Sequence, residues 1–148
     1  QALLPGADHE GLNDLARALA PCAERWQETT EQGAALARTV AALTGREVQA
    51  RALPVALGQA AAPLGLPVAQ VVALFLHGQA SNLVSCAVRF VPLGQTEGQA
   101  VLAALHPSIL ALADWAATAG AEDITSAGLG ADMAAMRHET METRIYRT

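Results

Sequence analysis

Apolar residues recur along the chain with the three- and four-residue spacing of α-helices, and Pro and Gly separate the segments. The first segment follows Asp8, a residue type that caps helices. The second spans 22–43 and ends just before Gly45, which suits a helix C-terminus. A shorter helix is predicted at 54–62. Because no stretch alternates apolar and polar residues over the length of a strand, the fold class predicted is all-α.

The most apolar helix is predicted at 67–90, where apolar side chains cover most of the circumference. Such a helix is usually central in a protein core, so Leu83, in its middle, is expected to be buried. Two further helices are predicted at 98–105 and 107–119, divided by Pro107. The pattern therefore predicts about six or seven helices packed as a single-domain bundle.

The composition supports a helical chain and argues against several classes of function. Of the 148 residues 52% are apolar, mostly Ala and Leu, and only 3% are aromatic. The formal net charge is −5 without a basic cluster, which argues against binding nucleic acid or an anionic membrane. No uninterrupted apolar run approaches the roughly 20 residues of a membrane span, so no transmembrane helix is predicted. The start resembles no signal peptide, and the simplest compartment is the cytoplasm.

Residues that carry catalysis are scarce. The four histidines never occur at the i, i+4 spacing that binds zinc on one helix face. The chain has no Lys, which excludes a phosphate-binding loop lysine and Schiff-base chemistry. Cys86 lies within an apolar helix face, which favours an unreactive thiol. We therefore predict no catalytic residues, no metal site and no cofactor, and only weak Ni²⁺ binding by the isolated chain.

A polar stripe interrupts the helix at 67–90, because His77, Ser81, Ser85 and Arg89 recur every four residues. It has two interpretations. It is a seam inside the bundle, in which the serines bond to backbone carbonyls and Arg89 to a carboxylate or a helix C-terminus. Alternatively, it is a groove that faces a partner or an internal passage. The candidate residues are His77, Gln79, Ser81, Asn82, Ser85, Arg89, Gln95 and Gln99.

The last segment, 131–148, is polar and rich in Arg, and we separate it as a tail from the body at 1–130. One interpretation is a frayed, solvated end. The other is a partner-binding segment, since Met, Tyr and Arg are enriched at interfaces. A segment this polar is not expected to hold itself as a helix, so a partner would order it. The candidate partner-binding residues are Met136, Arg137, His138, Glu139, Arg144, Tyr146 and Arg147.

Two long motifs carry a resemblance to a known family. They are QASNLVSCAVRFVPLGQTEGQ at 79–99 and ADMAAMRHETMETRIYRT at 131–148, with a shorter LGLP at 64–67 and LAALHP at 102–107. In these runs the chain resembles the UreF family of urease accessory proteins. Before Gly45 the resemblance is weak. The family's glycine-containing N-terminal motif has no counterpart, so the chain is expected to be a fragment that lacks roughly the first third.

The resemblance implies an all-α, non-enzymatic, cytoplasmic chaperone of nickel urease. Members of this family form a complex with UreD, also called UreH, and with the GTPase UreG, which they have been proposed to regulate. The assembly acts on the urease apoprotein, and homodimers are typical. Nickel would be handled by the complex rather than held as a cofactor here. The alternative is a generic all-α adaptor of another pathway, and a third hypothesis is a metal-dependent enzyme.

Overall fold

The computed structural model describes residues 2–4, 6–126 and 128–144, and it is helical without strands over those residues. This confirms the all-α prediction and the expected number of helices. Two short 3-10 turns, Ala62–Leu64 and Ala121–Asp123, accompany the α-helices. The α-helices are α1 (His9–Ala18), α2 (Ala23–Thr44), α3 (Leu53–Ala61), α4 (Val68–Phe90), α5 (Gln95–Thr118) and α6 (Leu129–His138).

Most helix ends lie where local sequence signals place them. The Asp8 side chain accepts a hydrogen bond from the Gly11 N–H at 2.9 Å, which caps α1. Gly45 ends α2 in the left-handed conformation, with φ of 69°. The division at Pro107 is wrong, because α5 continues through this residue as one helix. Pro107 lacks the N–H that would bond to the carbonyl of Ala103, yet the helix continues on both sides of it.

The chain divides into two compact units, and the first comprises residues 1–65 and 120–148. In this unit α3 packs against α2, and the segment before α3 is fixed by side chains of other helices. The Ala52 N–H donates to Asn13 Oδ1 at 2.9 Å, and the Leu53 N–H donates to Thr29 Oγ1 at 3.2 Å. The buried apolar residues here are small: Ala37, Ala52, Val55, Ala56 and Ala61.

The second unit, residues 66–119, is an antiparallel hairpin of α4 and α5. Gly98 lets the two helices approach closely near the turn. A Cβ atom on Gly98 would lie 2.8 Å from Val88 Cγ2 and 3.1 Å from Val84 Cγ1. The buried apolar residues of the hairpin are Val71, Val84, Leu102 and Ala113.

Many large apolar side chains of this hairpin are exposed. The side chain of Leu83 is 70% exposed, so the prediction that it lies in the core is wrong. Within α4 only Val71 and Val84 are buried. The composition of a helix shows that several faces are apolar, but it does not show which of them the chain itself covers.

Within the described residues, α4 and α5 are each long and apolar enough to cross a membrane by length and composition, and few of their residues are buried. Length and composition alone do not test the prediction that the chain has no transmembrane helix, so it stays a prediction. It counted uninterrupted apolar runs, whereas isolated polar residues lower the mean hydropathy only slightly. Helices whose apolar faces contact other proteins have the same length and the same apolar composition.

Candidate functional site

The polar stripe lies on an open surface of the α4–α5 hairpin. His77 and Ser81 are half-buried. Arg89 is exposed, and its side chain makes no hydrogen bond or ion pair with the other described residues. The prediction that its guanidinium bonds within the bundle is therefore wrong for the described part of the chain. The interpretation as a groove that faces a partner stays a prediction. The remaining candidates, all exposed, are Gln79, Asn82, Ser85, Gln95 and Gln99.

The hairpin brings His77 of α4 against His106 of α5. Their ring centroids are 5.2 Å apart, and the ring planes are inclined by 45°. The i, i+4 spacing that marks histidines on one helix face does not reveal this pair, because the two residues lie on different helices. Both residues lie near the middle of neighbouring antiparallel helices, at similar distances from the turn, and that register could have indicated the contact. Among the described residues, no group of three or more His, Cys, Asp or Glu could hold a metal ion.

The described part of the tail contains a helix. Residues Leu129–His138 form α6, so the prediction that this segment cannot be helical without a partner is wrong for those residues. No residue of α6 is buried, and Met136 and Arg137 are exposed. Tyr146 and Arg147 lie outside the described residues.

The described part of the tail contacts the start of α2 through Glu24. His138 Nδ1 lies 2.7 Å from Glu24 Oε2, and the Arg144 guanidinium forms an ion pair with the same carboxylate. The Glu24 N–H in turn donates to Glu139 Oε1 at 2.8 Å. We call these four residues the Glu24 cluster. Three candidate partner-binding residues, His138, Glu139 and Arg144, therefore contact the body of the chain itself.

The Glu24 cluster supplies a hydrogen-bond acceptor at the N-terminus of α2. The first turn of a helix has N–H groups without intrahelical acceptors, and its N-cap residue here, Cys22, makes no side-chain hydrogen bond. The Glu139 carboxylate supplies an acceptor from the other end of the chain, and its charge is favourable at a helix N-terminus. Nothing local in the sequence indicates this contact, since Glu24 and Glu139 are separated by 115 positions.

The same contacts lower the pKa of Glu24 below its ordinary value of 4.5. The hydrogen bond with His138 contributes most. The hydrogen bond with Arg144 and the charges of both partners act in the same direction, whereas partial burial opposes them. Because the pKa is lower in the folded state, the ionised carboxylate stabilises the fold above pH 4.5. This contribution is lost as the pH falls through the folded-state pKa.

We therefore expect Glu24→Gln to be less stable than the parent chain near neutral pH, with the difference narrowing as the pH falls below 4.5. Urea unfolding midpoints at a series of pH values measure this. The control is Glu31→Gln, since Glu31 is an exposed residue of the same helix outside the cluster. A difference that is independent of pH would contradict the role of the Glu24 carboxylate.

Comparison with known proteins gives a consistent result over most of the chain. A sequence model of the UreF family matches residues 6–106. A urease accessory protein UreF from Cereibacter sphaeroides is 68% identical over 145 residues, which cover 98% of this chain and 69% of that protein. The protein of the same name from Paracoccus denitrificans is 58% identical over 147 residues, covering 99% of this chain and 68% of its own length. One from Jannaschia is 52% identical over 147 residues, with 99% and 67% covered.

Proposed function

This chain belongs to the UreF family of urease accessory proteins, and we propose that it acts as a scaffold in the maturation of nickel urease. As an accessory protein of this family it is not an enzyme. In the proposal it binds a UreD-type protein (UreH in some organisms) and the GTPase UreG, and it forms a homodimer. The assembly would act in the cytoplasm on the urease apoprotein and assist nickel insertion. This chain would contribute binding surface rather than a resident nickel cofactor.

The observation that carries the proposal is the uncovered apolar surface of the α4–α5 hairpin. Of the described residues, nine apolar ones form the core and five of these are Ala, while nineteen large apolar side chains are exposed. Contiguous exposed apolar surface of more than a few hundred Å² commonly marks an interaction site. Exposed members on the hairpin are Leu74, Leu83, Phe90, Val101, Leu105, Leu110, Leu112 and Trp115.

The polar residues of α4 favour a protein rather than lipid as the cover of this surface. Gln79 and Asn82 lie near the middle of the helix and are exposed, and Arg89 follows in its last turn. In the hydrocarbon of a bilayer, such groups are costly unless another polar group pairs with them. A protein interface combines an apolar centre with hydrogen bonds and ordered water, so it accommodates both kinds of residue.

The tail would add a second contact. The Glu24 cluster holds the C-terminal end of α6 and leaves Met136 and Arg137 exposed, and both residue types are enriched at interfaces. Because removal of the whole tail would also remove the Glu24 cluster, Met136→Ala and Arg137→Ala are better probes of partner binding than truncation after Gly130. We expect both variants to keep the stability of the parent chain and to bind the UreD-type partner more weakly.

The proposal is tested by co-expression with UreD and UreG followed by size-exclusion chromatography, where we expect one co-eluting complex. Leu83→Asp should weaken binding of UreD by about a hundred-fold or more, since a charge at an interface core loses its hydration. The melting temperature should stay near that of the parent, because Leu83 is 70% exposed. Leu43→Asp is the matched control, as Leu43 is 79% exposed on α2 in the other unit.

Two outcomes would contradict the proposal. The first is a chain that co-elutes with neither protein under conditions in which the Cereibacter sphaeroides relative co-elutes with its own UreD and UreG. The second concerns the surface alone: equal losses of binding in Leu83→Asp and Leu43→Asp would show that the hairpin has no special role.

A further inference from the structure

His77 and His106 form a pair of imidazoles within one compact unit, each on a rigid helix. Their centroids are 5.2 Å apart, with His77 half-buried and His106 exposed. Neither ring makes a hydrogen bond among the described residues. No described residue therefore occupies a ring nitrogen of either histidine, and a neutral imidazole has one unprotonated nitrogen that can bind a ligand. We propose that His77 and His106 together bind a divalent transition-metal ion of the Ni²⁺, Cu²⁺ and Zn²⁺ class.

The spacing of the ring centroids is compatible with coordination of one ion by both rings. Metal–nitrogen bonds of about 2.0–2.1 Å place each imidazole centroid about 3.2 Å from the ion. Angles at the metal between about 90° and 110° then separate the two centroids by about 4.5–5.2 Å. The observed 5.2 Å lies at the tetrahedral end of this range. The inclination of 45° is compatible with it, because each ring can rotate about its own metal–nitrogen bond.

The ligand atoms of the pair determine which ions it prefers, and the number of protein ligands determines how readily an ion exchanges. Imidazole nitrogen suits Ni²⁺, Cu²⁺ and Zn²⁺, whereas Mg²⁺ and Ca²⁺ prefer oxygen ligands. No third His, Cys, Asp or Glu joins the pair among the described residues, so the remaining positions would be filled by water. A site with two protein ligands and open positions binds and releases its ion more readily than a closed structural site does.

The competing explanation is that the two rings only pack against each other. An aromatic pair contributes about 0.5–1.5 kcal/mol beyond its buried area, and it needs no metal. The two explanations differ in whether the two histidines bind a metal ion. Packing predicts that variants change stability while metal binding is unaffected, and coordination predicts that each single variant weakens metal binding.

The experiment is calorimetric titration of the untagged 148-residue chain with Ni²⁺ and, separately, Zn²⁺ in a buffer that does not chelate them. We expect one ion per chain, and a loss of affinity of about ten-fold or more in either His77→Ala or His106→Ala. The double variant should be little weaker than each single one, because the two residues act as one site. Circular dichroism establishes that each variant is folded, and His106→Gln repeats the measurement with a polar side chain.

The chain offers two matched controls. His9 Nε2 lies 3.0 Å from the Ala2 carbonyl oxygen, and His138 contacts Glu24, so neither belongs to the pair. His9→Ala and His138→Ala should keep the affinity of the parent chain. The proposal is overturned if His77→Ala and His106→Ala bind as tightly as the parent, or if the control variants lose as much. Because the chain is measured alone, this result is independent of whether UreD and UreG bind.

Discussion

Replacing Gly33 by Ala is expected to destabilise the chain by about 3 kcal/mol or more, which is a large part of the stability of an ordinary domain. Gly33 is buried on α2 where the backbone before α3 crosses it. A Cβ atom on Gly33 would lie 1.8 Å from the Arg51 carbonyl oxygen and 3.0 Å from the Leu53 nitrogen. These are backbone atoms, so no side-chain rotation relieves the overlap. The segment must move, and its hydrogen bonds to Asn13 and Thr29 would be strained.

A second glycine provides the control for this substitution. Gly78 lies inside α4 and is exposed, and an added Cβ would have no heavy atom within 4 Å apart from its chain neighbours and the backbone of its own helix. Gly78→Ala should therefore stabilise the chain by about 0.5–1 kcal/mol through helix propensity alone. Chemical unfolding of both variants measures the contrast. Equal stabilities of Gly33→Ala and Gly78→Ala would show that α2 and the segment before α3 do not approach as closely as described.

Local structure was predictable from the sequence because its causes are local. A carboxylate at Asp8 caps the helix that follows it, and Gly45 adopts the left-handed conformation that ends a helix. Pro107 is the exception, and it is informative. A proline disfavours the helix at one position, but packing of α5 along α4 decides whether the helix continues.

The features of the candidate site were not predictable in the same way, since they join distant parts of the chain. The sequence shows His77 and His106 as isolated histidines, and only the hairpin places their rings together. It likewise shows a polar tail, but not that Glu24 holds His138 and Arg144. Such contacts depend on the register and packing of helices, which a periodic pattern leaves open.

Burial was the least predictable property, and the hairpin shows why. Leu83 and Leu102 are both leucines in long apolar helices, yet their exposed fractions are 70% and 6%. A helix that is apolar on several faces has one face turned to its neighbour in the chain and others available to partners. The sequence shows that these faces are apolar, but it does not distinguish the face that packs within the chain from the faces available to partners. The structure separates them, and it places Leu102 in the core and Leu83 on the proposed binding surface.

Leu102→Ala should consequently destabilise the chain by about 2–4 kcal/mol, through the lost burial of the side chain and the cavity left behind. Leu83→Ala removes the same atoms from an exposed position, and its effect should stay within about 0.5 kcal/mol. Because the chain has two compact units, hydrogen exchange of the backbone amides in α4 and α5 measures the loss where it occurs. Leu102→Ala should speed exchange throughout the hairpin, whereas Leu83→Ala should leave it unchanged.

The variants Leu83→Ala and Leu102→Ala also separate effects on folding from effects on partner binding. Leu83→Ala should reduce the affinity for the UreD-type partner while the chain alone stays as stable as the parent, since the leucine loses contact area only in the complex. Leu102→Ala should instead lower the stability of the isolated chain, and any loss of affinity should follow from that loss of stability. If Leu83→Ala instead lowers the stability of the isolated chain by as much as Leu102→Ala, then Leu83 is covered in solution. In that case the face that bears it is part of the core, and the proposed partner surface must lie elsewhere.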